Sequence, residues 1–206
     1  MNFTYETTDR KGCYETFEWD NMWIDYANDD VTPRVLYIGD SISYGSRSLV
    51  AAEMGSSALV DVYATSKGID NCCYQDCIKL FGRQQKARDC IIFNNGLHGW
   101  HLDDEAEYGP LYEQMVQFLQ TEFPGVPLAL ILTTYISDED QRKRVEKRNA
   151  VVCKIAEKYD LPVIDLYAVS AAMPELLKKD GVHFQREGYE ALGKAIAEVL
   201  RQILAK

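Results

Sequence analysis

Ser41, Asp180 and His183 are the residues of this chain whose types and spacing could do chemistry together. Ser41 closes the triplet Gly39-Asp40-Ser41, straight after the apolar run Val35-Leu36-Tyr37-Ile38. Asp180 and His183 stand in Asp180-Gly181-Val182-His183, just ahead of a C-terminal helical stretch. A serine hydroxyl is a weak nucleophile until a base takes its proton. An imidazole can do so when a carboxylate fixes its tautomer and stabilises the cation that forms. Three residues apart in one loop, Asp180 can reach Nδ1 of His183 and leave Nε2 facing outward. Such a relay suits cleavage of an acyl ester. Gly39 permits close backbone approach, and a helix starting at the serine offers amide N–H groups to a developing oxyanion.

These residues need a scaffold that gathers distant segments. Short apolar or β-branched runs recur at residues 35–38, 59–63, 90–93, 128–132 and 162–164, each followed by a helix-length stretch. Residues 141–159 place Val145, Val152, Ile155, Ala156 and Tyr159 near helical spacing. Residues 189–204 put Tyr189, Leu192, Ile196, Val199, Leu200 and Ile203 on one stripe. Apolar strands alternating with amphipathic helices predict an α/β fold, with a parallel sheet of about five strands covered on both faces. Ligand sites of such sheets lie at the carboxyl ends of the strands. Ser41, Gly68, His98 and the Asp180/His183 loop all follow or end a strand in this scheme.

At 206 residues the chain is expected to be one main domain, spanning 31–206, with residues 1–30 as an acidic, aromatic-rich appendage packed on it. Those first thirty residues hold eight acids, two bases and seven aromatics, contributing −6 of the net −10. Disordered tails are poor in aromatics. The negative balance argues against a nucleic-acid partner and against anionic membrane surfaces. The start of the chain lacks a basic, apolar leader pattern, and its longest greasy run, 126–132, is broken by Pro127. A soluble, cytoplasmic protein is therefore expected. The six cysteines form no CxxC pair. His98, His101 and the consecutive acids Asp103, Asp104 and Glu105 lack metal-site spacing, so neither metal nor cofactor is expected. Asn94 and Asn95 stand where a phosphoacceptor receiver domain would need a carboxylate.

Gly39-Asp40-Ser41 near the start, a mid-chain glycine, a GxND-like element and the terminal Asp180-Gly181-Val182-His183 together resemble the SGNH, or GDSL-type, hydrolase superfamily of esterases and lipases. The resemblance runs from about Arg34 to the end. It implies a three-layer α/β/α sandwich of flavodoxin-like type, acyl-ester hydrolysis and no metal. It makes Ser41 the nucleophile, His183 the base and Asp180 the acid. It further implies an oxyanion hole built from the Ser41 amide, the amide of Gly68 in Ser66-Lys67-Gly68-Ile69-Asp70, and a side chain of the third block. That block departs from the usual form. GxND falls on Gly96-Leu97-His98-Gly99, so the asparagine position reads His98. A neutral imidazole N–H can donate to an oxyanion; Asn95 is the alternative donor, with Asn94 beside it.

The expected activity is hydrolysis of a small-molecule carboxylic ester, with a short acyl group on a carbohydrate as the first substrate. Lysophospholipase or thioesterase activity is the alternative, as is a non-catalytic binding module on the same fold. Tyr44, Tyr74, Trp100 and Tyr135 are expected near the rim of the site.

Overall fold

Alternation along each strand sends neighbouring side chains to opposite faces of a sheet, and here both faces are greasy. The computed structural model describes residues 14–205. Its central sheet contains β1 (Asp20–Trp23), β2 (Arg34–Gly39), β3 (Leu59–Thr65), β4 (Cys90–Phe93), β5 (Leu128–Ile131) and β6 (Val163–Ile164), in the order β1-β3-β2-β4-β5-β6. Strands β2 to β6 run parallel. The helices are α1 (Ser41–Met54), α2 (Tyr74–Gly82), α3 (Tyr108–Glu122), α4 (Glu139–Tyr159), α5 (Leu166–Ala171) and α6 (Arg186–Leu204).

Val35, Tyr37, Val60, Val62, Ile92 and Ile131 face one apolar cluster with Val50 of α1, Leu166 of α5, and Leu192, Ile196 and Leu200 of α6. Leu36, Ile38, Tyr63, Ile91, Phe93 and Leu130 face the other, with Ile78 of α2, Met115 of α3, and Val152 and Ile155 of α4. The outcome is the three-layer α/β/α sandwich. Among the described residues, no helix is long and apolar enough to cross a membrane.

Among the described residues the sheet has six strands rather than about five. The additional strand, β1, pairs antiparallel with β3, from Asp20↔Thr65 to Trp23↔Val62. Its sequence, Asp-Asn-Met-Trp, lacks the β-branched residues that mark strands. It is a strand because β3 offers it an open edge. The segment leading to β2 is fixed as well. Arg34, buried, donates to both carboxylate oxygens of buried Asp61 at 2.8 and 2.9 Å, and to the carbonyls of Asp25, Tyr26 and Asp29. Asp61 also accepts from the Asp25 amide and from Gln85 Nε2. Residues 1–13 of the expected appendage, Cys13 included, lie outside the described residues.

Removing one partner of a buried pair leaves a charge without compensation. Asp61→Ala should therefore lower the unfolding free energy by roughly 3–5 kcal/mol, read by urea denaturation. A loss below about 1 kcal/mol would place the pair among solvent-screened ones.

Candidate active site

Strand β2 ends at Gly39 and α1 starts at Ser41. β3 lies on one side of β2 and β4 on the other, so the chain leaves β2 at the point where strand order reverses. A crevice opens there at the carboxyl ends of the strands. Asp40 caps α1: its carboxylate accepts the Ile42 amide at 2.9 Å. Burial pushes the Asp40 carboxyl up, against the opposing pull of the Ile42 and Ser43 amides. Gly39 is needed because a Cβ there would sit 1.9 Å from Ser43 Oγ. Ser41 occupies the first helical position, where an amide N–H has no intrahelical acceptor.

The Asp180/His183 loop is a tight turn closed by its own backbone. Leu177 bridges Phe184, the Lys178 amide donates to the His183 carbonyl at 2.7 Å, and the Gly181 amide donates to the Lys178 carbonyl at 2.9 Å. Gly181 has φ +73°, and a Cβ there would sit 1.9 Å from Ser137 Oγ. Only glycine meets both conditions. Within this turn Asp180 Oδ1 accepts the amides of Val182 and His183 at 3.0 and 2.9 Å. Asp180 Oδ2 lies 3.0 Å from His183 Nδ1. His183 Nε2 lies 2.8 Å from Ser41 Oγ, across 142 residues of chain. With the imidazole proton on Nδ1, hydroxyl, ring and carboxylate form one continuous donor–acceptor chain.

Gly68 lies in the loop after β3, where the Asn71 amide donates to its carbonyl at 3.0 Å. The loop after β4 packs against it: a Cβ on Gly99 would lie 3.5 Å from the Gly68 Cα. His98 is on this second loop and is 4% exposed. Asn95 Nδ2 donates to the Lys67 carbonyl at 2.8 Å and so ties the two loops together. Asn94 Nδ2 spends both protons, on the Ile131 carbonyl and on Thr133 Oγ1. Of the aromatics expected at the rim, Tyr74 and Trp100 are buried instead, while Tyr44 is well exposed. Tyr74 joins the core with Ile78 and Phe81, and Trp100 lies against the guanidinium groups of Arg144 and Arg148.

Arg148 was not singled out by motif or spacing, yet it organises the loop after β4. It is fully buried, and it donates to the carbonyls of Gly96, His98 and Gly99 at 3.2, 2.8 and 2.8 Å and to Asp104 Oδ1 at 3.0 Å. Arg144 adds the carbonyls of Trp100 and Leu102 and the same carboxylate. Asn149 clamps Thr133 by accepting its amide and donating to its carbonyl. The signal was present in α4: Arg148 and Asn149 interrupt the buried face otherwise lined by Val145, Val152, Ile155 and Ala156. Polar side chains on a core-facing stripe must have partners, because burying them unpaired is costly.

Burial would raise the Asp180 carboxyl, but the Val182 and His183 amides and the imidazole outweigh it and hold it below its ordinary value of 3.8. A depressed carboxyl contributes stability above its unfolded value and loses it as pH falls through the folded one. The stability gap between wild type and Asp180→Asn should thus be full above about pH 5 and shrink below about pH 4, followed by urea denaturation at each pH. A gap constant from pH 7 to pH 3 contradicts this.

No protein-family model matches the chain, and no curated protein matches it in sequence. Solved structures do match its fold. The acetyl xylan esterase AlAXEase aligns with a TM-score of 0.68 at 17% identity, over 81% of this chain and 99% of that one. A lipase/acylhydrolase from Enterococcus faecalis aligns with a TM-score of 0.64 at 20% identity, over 83% and 96%. A GDSL-like lipase from Bacteroides thetaiotaomicron VPI-5482 aligns with a TM-score of 0.65 at 13% identity, over 82% and 88%. At such identities the likeness is one of architecture. The chain has the α/β/α fold of this acetyl xylan esterase, this lipase/acylhydrolase and this GDSL-like lipase.

Proposed function

We propose that the chain is a GDSL-type serine hydrolase of the SGNH superfamily that cleaves carboxylic esters. The observation that carries this reading is the unbroken contact from Ser41 Oγ to His183 Nε2 and from His183 Nδ1 to Asp180. It lies on a fold whose solved examples include esterases and lipases.

In this mechanism Ser41 Oγ attacks the acyl carbonyl carbon while its proton passes to His183 Nε2. Asp180 holds the ring in register and stabilises the imidazolium. The carbonyl π pair becomes an oxyanion, which accepts hydrogen bonds from the Ser41 and Gly68 amides and from the His98 imidazole. Collapse re-forms the carbonyl and expels the alcohol, which takes the proton from His183. Water, deprotonated by the same ring, then attacks the acyl-enzyme and releases the acid. Asn95 suits the third oxyanion position less well, because one of its amide protons already holds the Lys67 carbonyl.

The substrate class we favour is a short acyl group, such as acetyl, on a carbohydrate. The likeness to a protein described as an acetyl xylan esterase supports it. So does exposed Tyr44, one helical turn past the serine, which offers a flat face to a sugar ring.

Wild-type protein should hydrolyse p-nitrophenyl acetate, and Ser41→Ala should bring the rate to background. Equal rates for the two would remove the enzyme reading and favour a binding module. A p-nitrophenyl ester series should show kcat/KM falling as the acyl chain lengthens from two to eight carbons; a rise would move the substrate towards lipids or thioesters. His98→Ala should lower kcat by roughly 10²–10³, the cost of losing one oxyanion donor. A change confined to KM takes His98 out of that role.

A further inference from the structure

The peptide unit joining His98 to Gly99 is gripped at both ends by buried, charge-bearing side chains. Its carbonyl accepts from Arg148 Nη1 at 2.8 Å, and its amide donates to Glu15 Oε1 at 2.9 Å. Arg148 is fully buried and Glu15 is 6% exposed. The two reach the loop from different parts of the chain: Arg148 from α4, Glu15 from the N-terminal segment, 84 residues before Gly99. Hydrogen bonds to ionised groups are shorter and stronger than neutral ones, and low dielectric strengthens them further.

Such a grip has a specific use here. Gly99 has φ +70°, and glycine tolerates either sign of φ. The peptide before it could turn over at little steric cost. His98 Cα is one end of this peptide unit, so holding the unit fixes the backbone from which the imidazole projects. A cation on the carbonyl side and an anion on the amide side allow one orientation only. Glu15 is itself fixed by Glu18, whose Oε1 accepts the Glu15 amide at 2.8 Å. Glu18 also accepts from Ser66 Oγ at 2.9 Å and from Asn71 Nδ2 at 3.2 Å, on the loop that carries Gly68. The N-terminal segment thus holds both loops at once.

We propose that Glu15 is a positioning residue: with Arg148 it orients the His98–Gly99 peptide so that the His98 imidazole meets the oxyanion. This rests on the reading of His98 as an oxyanion donor. Glu15 does not touch substrate, and its effect runs through His98.

The test is a double-mutant cycle on the full chain with p-nitrophenyl acetate, at a temperature well below every variant's melting point. Glu15→Ala should lower kcat by on the order of tenfold, with KM changed less than about twofold. Glu15→Gln, whose amide oxygen can still accept the Gly99 N–H, should recover most of the rate. In a His98→Ala background, Glu15→Ala should cost less than about twofold, because the group it positions is gone. A merely structural staple predicts equal losses in both backgrounds, and that result overturns the proposal. An unchanged kcat in Glu15→Ala overturns it too. If Glu15→Ala does not fold, Glu18→Ala, at a more exposed position, loosens the same carboxylate and enters the same cycle. Should His98→Ala be fully active while Ser41→Ala is dead, the oxyanion reading of His98 fails and this proposal with it. Should Ser41→Ala also be active, the hydrolase reading fails.

Discussion

The site depends on one constraint, the reversal of strand order at β2. Because β3 is added on one side and β4 on the other, the chain leaves β2 towards one face of the sheet, into α1, while the loops after β3 and β4 lead to helices on the other face, which leaves the carboxyl end of β2 uncovered. Ser41 stands at that uncovered end, on the first turn of α1. The Asp180/His183 turn, ahead of α6, approaches the same point, and α6 packs against α1 as part of one apolar cluster. The contact between Ser41 and His183 is therefore a product of how two helices cover one face of the sheet.

Around this crevice the loops are held less by regular structure than by buried charge. Arg148 and Arg144 turn five carbonyls of the loop after β4 towards themselves and share Asp104. Lys67 Nζ donates to both carboxylate oxygens of Asp20, fixing β1 to the loop after β3. Charges taken out of water are costly unless fully satisfied. Here each guanidinium meets two or three carbonyls as well as a carboxylate. A loop satisfied in this way has few alternative arrangements, which is what the proposed role of His98 requires.

The N-terminal segment changes meaning between sequence and structure. In the sequence it reads as an acidic, aromatic-rich appendage packed on the main domain, with no partner assigned to any of its acids. In the folded chain Glu15 holds a glycine amide, Glu18 a serine and an asparagine, and Asp20 a lysine and Tyr63. Its net charge suggested only which partners to exclude. Pairing to the open edge of β3 gave those charges fixed partners, and edge pairing depends on a neighbouring strand, which local composition does not reveal.

The strands and long helices were legible because burial on both faces and a 3.6-residue stripe leave periodic marks. That Ser41, Asp180 and His183 could meet was legible as well, since their residue types are uncommon in combination and two of them share a four-residue turn. What sequence alone could not supply was every relation between distant segments. Spacing said nothing of β1, of the Arg148 cradle or of Glu15 reaching Gly99. It also put Tyr74 and Trp100 at the rim, where packing buries them instead. Local propensity and periodicity act over a few residues and are written along the chain. The partners of a buried charge are chosen by three-dimensional packing, across separations as large as the 142 residues between Ser41 and His183.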